Sequence, residues 1–226
     1  MVVTLASAAL VIPYLLFSPL AGRLAKIYKK RKIVVWAKFA EMLIMVVAAA
    51  GFLMHSTVLV LSSILLMGLQ SALFSPSKYG LIRDIGGEEG ISYGSGAMEM
   101  FAFVGILTGT LMAAFLSESV TIPVLCVILF GVALLGWLSS LTIRANESEP
   151  MKESHETLNP VKFVKDMFVR ALAFKGLNWV VVGLATFWFI GSMIQMVLIV
   201  YCRSDLGMSD SKTGIVMSLA AVGIGA

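Results

Sequence analysis

The chain has 226 residues, of which 59% are hydrophobic and only 13% charged. A soluble globular domain carries about 45–50% apolar and about 25% charged residues, so soluble, disordered and nucleic-acid-binding classes fit poorly despite a pI near 9.1. Cys126 and Cys202 are too few for a disulfide framework or a zinc site. His55 and His155 stand far apart, so no metal and no cofactor is expected. What remains is an all-α, polytopic membrane helix bundle.

A membrane helix needs roughly 20 mainly apolar residues. Such stretches fall at about 2–21, 33–53, 57–77, 91–116, 120–141 and 178–201, and a seventh starts near Lys212. The first lacks a basic leader and runs straight into a Lys/Arg cluster, so it reads as a retained helix rather than a signal peptide. The seventh is cut off at Gly223-Ile224-Gly225-Ala226, so the chain reads as a fragment of a longer protein. Connectors 22–32, 78–90 and 142–177 hold six, two and six lysines and arginines, whereas 54–56, 117–119 and 202–211 hold only Arg203. The positive-inside rule places the first set on the cytoplasmic side. The first helix then runs from outside to inside, which implies one more helix before residue 1.

The connector 142–177 is long and polar. Asn146-Glu147-Ser148-Glu149-Pro150 and Lys152-Glu153-Ser154-His155-Glu156 read as solvated linker. Asn159 then fits an N-cap and Pro160 a first helical residue. Val161, Val164, Phe168 and Leu172 follow at helical spacing. The pattern fits a short interfacial helix, and equally a cytoplasmic overhang of the next span.

Six spans, a linker and a second bundle is the plan of the major facilitator superfamily. Gly22-Arg23-Leu24-Ala25-Lys26, followed by Lys29-Lys30-Arg31-Lys32, resembles that superfamily's signature loop between helices two and three. On this numbering the chain covers about helices two to eight of twelve. The expected domains are 1–142, an N-terminal bundle lacking its first helix; 143–177, the linker with its interfacial helix; and 178–226, the start of the C-terminal bundle.

A narrower resemblance rests on Lys38-Phe39-Ala40-Glu41, Gln70 to Gly80 with its Pro76-Ser77-Lys78-Tyr79-Gly80 end, Gly96-Ala97-Met98-Glu99, Gly105 to Thr110, and Phe187-Trp188-Phe189-Ile190-Gly191. Together these resemble the lysophospholipid transporter branch, some members of which are fused to an acyltransferase and an acyl-carrier-protein synthetase. The resemblance implies a secondary transporter in the bacterial cytoplasmic (inner) membrane. It would flip lysophosphatidylethanolamine or lysophosphatidylglycerol by alternating access, for re-acylation. The implied partners are the phospholipid substrate, membrane lipid and a fused or associated acyltransferase. The chain departs from the superfamily at Lys26, where the signature loop carries an aspartate that helps latch the two bundles. Asp84 could supply the missing anion to the Lys29–Lys32 cluster. Gly22, Lys26, Lys30, Arg31, Arg83 and Asp84 are therefore the gating candidates.

Charges inside a span cost about 2.5–3.5 kcal/mol each on insertion scales, so Lys38, Glu41 and Glu99 stand out. Lys38 and Glu41 are spaced i,i+3 and can pair with each other. Glu41 and Glu99 each lie eight residues into a span that starts on the cytoplasmic side, about 12 Å deep. Glu99 either bonds to a neighbouring helix or lines a cavity and meets the amine of a zwitterionic headgroup. Lys78 follows Pro76, where the helix is expected to break or kink; it is either an ordinary positive-inside residue or a phosphate contact. Tyr79 and Gly80 are expected to shape the turn, and Arg83 to pair with Asp84 or touch phosphate. Gln70 and Gln195 could line a cavity or bond across helices. Phe187, Trp188 and Phe189 could grip an acyl chain or simply pack. Gly105-x-x-x-Gly109 reads as a close-packing motif. The substrate-binding candidates are thus Glu99, Lys78, Glu41, Gln70, Trp188 and Gln195, with no catalytic residue.

No phosphate loop, nucleophile–histidine pair or metal spacing is present in the sequence, so enzyme activity within the chain is not expected. The competing reading is a facilitator-type exporter of amphipathic drugs or another small solute. A passive anchor for fused catalytic domains is disfavoured by the intramembrane carboxyls.

Overall fold

A computed structural model describes residues 2–147, 149, 158–174 and 176–225. Ser148, Pro150 and Lys152-Glu153-Ser154-His155-Glu156 of the linker, and the terminal Ala226, lie outside the described residues. Among the described residues seven helices follow in order: α1 (Val2–Ile27), α2 (Lys30–Leu53), α3 (Thr57–Ser119), α4 (Ile122–Leu141), α5 (Pro160–Ala173), α6 (Leu177–Ser204) and α7 (Asp210–Gly225). Among the described residues there is no strand, and five helices, α1 to α4 and α6, are long and apolar enough to cross a membrane.

The expected connector at 78–90 is helical on both sides of a single break at Gly87. The 63-residue α3 runs through Pro76 and leaves helical geometry at Gly87. The break belongs to glycine rather than to proline, contrary to the expectation at Pro76. Gly87 has φ 63° and ψ −164°, a region essentially closed to residues with a Cβ. Proline within a membrane helix forfeits one backbone bond, which neighbouring groups can offset; Pro13 and Pro19 are likewise carried inside α1. Tyr79 and Gly80 accordingly sit within helix and shape no turn.

Two compact units emerge from the packing: residues 1–95 with 122–164, and residues 96–121 with 165–226. In the first unit α2 packs along α4 and touches α1. Small side chains recur in its core, where Ala21, Ala25, Ala37, Ala48, Ala72 and Ala133 are buried beside Val34, Ile44, Leu81 and Ile82. Lipid tails are as apolar as leucine, so helices gain little from hiding large side chains from them. Small residues that admit close approach decide the packing instead. Gly68 shows the limit, because a Cβ there would lie 2.5 Å from the carbonyl oxygen of Leu10. At Gly105 and Gly109 a Cβ would meet nothing within 4 Å. The close-packing role expected of that motif is therefore not realised among the described residues.

α5 is a separate helix. The Asn159 side chain accepts hydrogen bonds from the amides of Val161 and Lys162 at 3.0 and 3.3 Å, the N-cap read from the sequence. Gly176, at φ 92°, turns the chain before α6. This favours the short independent helix over the overhang.

Candidate functional site

Three polar centres are built into the two units. The first lies within the apolar length of the first unit. Lys38 Nζ stands 2.7 Å from Glu41 Oε2, with the side chains 27% and 18% exposed. Gln70, buried on α3, donates from Nε2 to the Ala37 carbonyl at 3.1 Å and reaches Glu41 Oε2 at 3.5 Å. The Ser71 hydroxyl donates to Gln70 Oε1 at 3.1 Å. Lys38 Nζ also lies 5.4 Å from the centre of the Phe74 ring, and its stem passes beside Gly136 of α4. The pair expected from the i,i+3 spacing is present, and Gln70 bonds across helices while also lining a groove along α2. An ammonium, a carboxylate and an amide are thus held together at a depth where each alone would be costly.

The second centre lies at the basic ends of the helices. Lys30 Nζ is 2.6 Å from Asp84 Oδ2, with side-chain exposures of 23% and 8%. Asp84 therefore does meet the Lys29–Lys32 cluster, and the contact joins α2 to α3 within one unit. Gly80 makes room for it, since a Cβ there would lie 2.7 Å from Lys30 Cδ. Arg31 donates from Nη2 to the Leu141 carbonyl at 3.0 Å, and its amide donates to Glu147 at 3.2 Å. The guanidinium caps the C-terminal end of α4, where the helix dipole is negative. Arg31, Asp84 and Arg144 line a cavity of about 480 Å³. Arg83 does not pair with Asp84 as expected. It turns outward to Glu88 at 3.4 Å, both side chains being exposed, because Asp84 is already committed to Lys30. Gly22 is half-buried and Lys26 exposed, both on α1.

Lys78 stands apart from these groups. It is half-buried within α3, and its Nζ lies 4.5 Å from the centre of the Tyr79 ring. The ammonium is held by a ring face there, not presented at a helix break.

The third centre belongs to the second unit. Trp188 stacks on Phe103 with ring centroids 6.3 Å apart, and Phe187 meets Trp188 edge-on at 5.9 Å. Trp188 and Gln195 line a pocket of about 120 Å³ together with Thr110 and Ser218. Glu99, one helical turn before Phe103, is half-buried and is not an isolated charge. Trp188 and Gln195 are therefore brought together, while Glu41 and Glu99 fall in different units.

Reasoning from the sequence missed one cluster at the opposite helix ends of the second unit. Glu118 accepts hydrogen bonds from the Ser211 amide at 3.0 Å and from the Ser211 hydroxyl. Arg203 pairs with Asp210. The Ser211 hydroxyl and amide hold the Glu118 carboxyl below the usual glutamate range. A carboxylate at the start of α7 also meets the positive end of the helix dipole. Ser209-Asp210-Ser211 was a readable helix-start signal. Its partner, 93 residues away, was not.

The family model for the Major Facilitator Superfamily matches residues 1–226. A lysophospholipid transporter LplT from Photorhabdus laumondii is 26% identical over 227 residues, covering 95% of this chain and 52% of the relative. One from Pectobacterium carotovorum is 27% identical over 220 residues, covering 93% and 50%. A third, from Citrobacter koseri, is 24% identical, covering 93% and 52%. The chain spans about half the length of the curated relatives it matches. No solved structure matches it. A chain of membrane-length helices with paired charges inside its spans, matched by the family model from first residue to last, is a multi-pass membrane protein and belongs to the Major Facilitator Superfamily.

Proposed function

We propose that the protein containing this chain is a secondary transporter that carries lysophospholipids across the bacterial cytoplasmic membrane by alternating access. The observation that carries this reading is the Lys38–Glu41–Gln70 centre. A passive anchor has no use for an ammonium and a carboxylate inside a span, because each is costly to insert. A zwitterionic headgroup offers a phosphate and an amine. Lys38 can exchange Glu41 for the phosphate while Glu41 accepts the amine, so no charge is left bare at any stage. Gln70 keeps Glu41 oriented during the exchange. The relatives' names support a lysophospholipid as the cargo. Glu99 and Lys78 remain the further headgroup contacts proposed from the sequence, and the Lys30–Asp84 and Arg31 contacts the proposed gate supports. The physiological role would be return of lysophospholipid for re-acylation by a fused or associated acyltransferase.

The test is a flipping assay on the full-length protein in liposomes, with labelled lysophosphatidylethanolamine. Glu41→Gln, Glu99→Gln and Lys78→Ala are run beside wild type. Uptake by wild type that falls at least tenfold in Glu41→Gln supports the reading. Failure of a well-folded wild type to move the lipid, with export of an amphipathic cation in the same vesicles, would replace it by the drug-exporter reading.

A further inference from the structure

The first unit carries an apolar groove of about 690 Å³ that adjoins the Lys38–Glu41–Gln70 centre through Gln70. α2 forms its floor from Lys32 to Ile44, with Leu24 of α1 and Tyr28 just beyond it on one side and Leu66 to Leu73 of α3 on the other. At the helical rise of 1.5 Å per residue that floor is about 18 Å long. One leaflet's share of the hydrocarbon core is about 15 Å. The groove thus matches a single leaflet in depth and lies in the size range of ligand pockets, about 300–1,000 Å³.

Its polarity is confined to two places. Gln70 lies midway along the floor, and its amide is spent on Ala37 and Glu41. Tyr28 and Lys32 lie at the mouth. The neighbouring cations are directed elsewhere: Lys30 to Asp84 and Arg31 to the Leu141 carbonyl. Lys32 alone of these three lines the groove. Trp36, one turn deeper, is 68% exposed and Tyr28 is 56% exposed. Such rings concentrate at the headgroup level of a bilayer.

We infer that this groove is a binding site for an anionic phospholipid of the surrounding membrane. One acyl chain lies along α2 and the phosphate rests on Lys32. An apolar trough one leaflet deep selects a lipid chain over a soluble ligand, and a cation at its mouth selects an anionic headgroup over a zwitterionic one. The inference stands apart from the cargo proposed above: the groove shares Gln70 with the Lys38–Glu41 centre but uses neither of its charges.

The test uses the full-length protein in phosphatidylcholine vesicles doped with phosphatidylglycerol or phosphatidylcholine brominated on the acyl chains. Bromine quenches tryptophan on contact, and the Trp36 signal is the difference between wild type and Trp36→Phe. Brominated phosphatidylglycerol should quench Trp36 at about fivefold lower mole fraction than brominated phosphatidylcholine, the factor one lysine near a membrane surface supplies. That preference should vanish in Lys32→Gln and persist in Lys32→Arg and Lys29→Gln. Equal quenching by the two lipids would make the groove ordinary boundary surface and overturn the inference. Quenching by neither would mean that protein covers the groove, from the same chain or a second copy, and would overturn it too. So would a preference that survives Lys32→Gln in a variant with wild-type elution on gel filtration.

Discussion

Replacing Asp84 by asparagine removes one partner of the Lys30 contact while keeping the shape of the side chain. The cost can be bounded from the geometry. A solvent-exposed pair contributes about 0–1 kcal/mol, and stripping one partner from a buried pair costs about 3–5 kcal/mol. Asp84 is 8% exposed, but Lys30 is 23% exposed and can turn its ammonium to water. The expected loss is therefore about 1–2 kcal/mol, with a coupling of that size between Lys30→Ala and Asp84→Asn in a double-mutant cycle. Gly80 supplies an internal control. Glycine to alanine in mid-helix should gain about 1 kcal/mol, but here the new Cβ would strike the Lys30 stem, 2.7 Å away. Gly80→Ala should show that gain only in the Lys30→Ala background and lose it in wild type. Denaturant unfolding of the full-length protein in detergent, followed by circular dichroism, measures all four quantities. A coupling below about 0.5 kcal/mol, within ordinary additivity error, together with an equal Gly80→Ala effect in both backgrounds, would refute the contact as a determinant of stability.

Three further outcomes are expected. Gly68→Ala should destabilise by about 1–3 kcal/mol, as overpacking does, because its Cβ would meet the Leu10 backbone; Gly105→Ala, facing open space, should be neutral or gain up to about 1 kcal/mol, and the same unfolding assay ranks the two. Asn159→Ala should cost α5 about 1 kcal/mol, read as faster hydrogen exchange at the Val161 and Lys162 amides, with no change there if the cap is not formed. Glu118 titrates below the usual glutamate range when folded, so its cap on α7 is fully present above the unfolded-state value and is lost as pH falls through the lower folded one. Exchange at the Ser211 amide, compared between wild type and Glu118→Gln at each pH, should converge only at strongly acidic pH; convergence already in the ordinary glutamate range would refute the assignment.

Length and composition alone carried the class of this protein, because crossing a bilayer is a local demand. A stretch of about 20 apolar residues satisfies its own backbone in a helix wherever it sits; the spans read at 33–53 and 178–201 lie within α2 and α6, and that at 120–141 matches α4 to within two residues. The Asn159 cap and the Lys38–Glu41 pair were legible for the same reason, since their partners lie two or three residues away. Other features required the fold. Whether α3 breaks at Pro76 or at Gly87 depends on which backbone strain the surroundings relieve. Asp84 chooses Lys30 over the adjacent Arg83 because helix packing brings residues 54 apart within 2.6 Å. Gln70, Glu118 and the groove above α2 are likewise products of long-range contact. In a membrane, side chains at helix contacts and at lipid contacts are equally apolar. Hydrophobic pattern therefore reveals that a helix spans but not which face meets a neighbour, and that choice falls to the tertiary packing of small residues and the few polar groups between them.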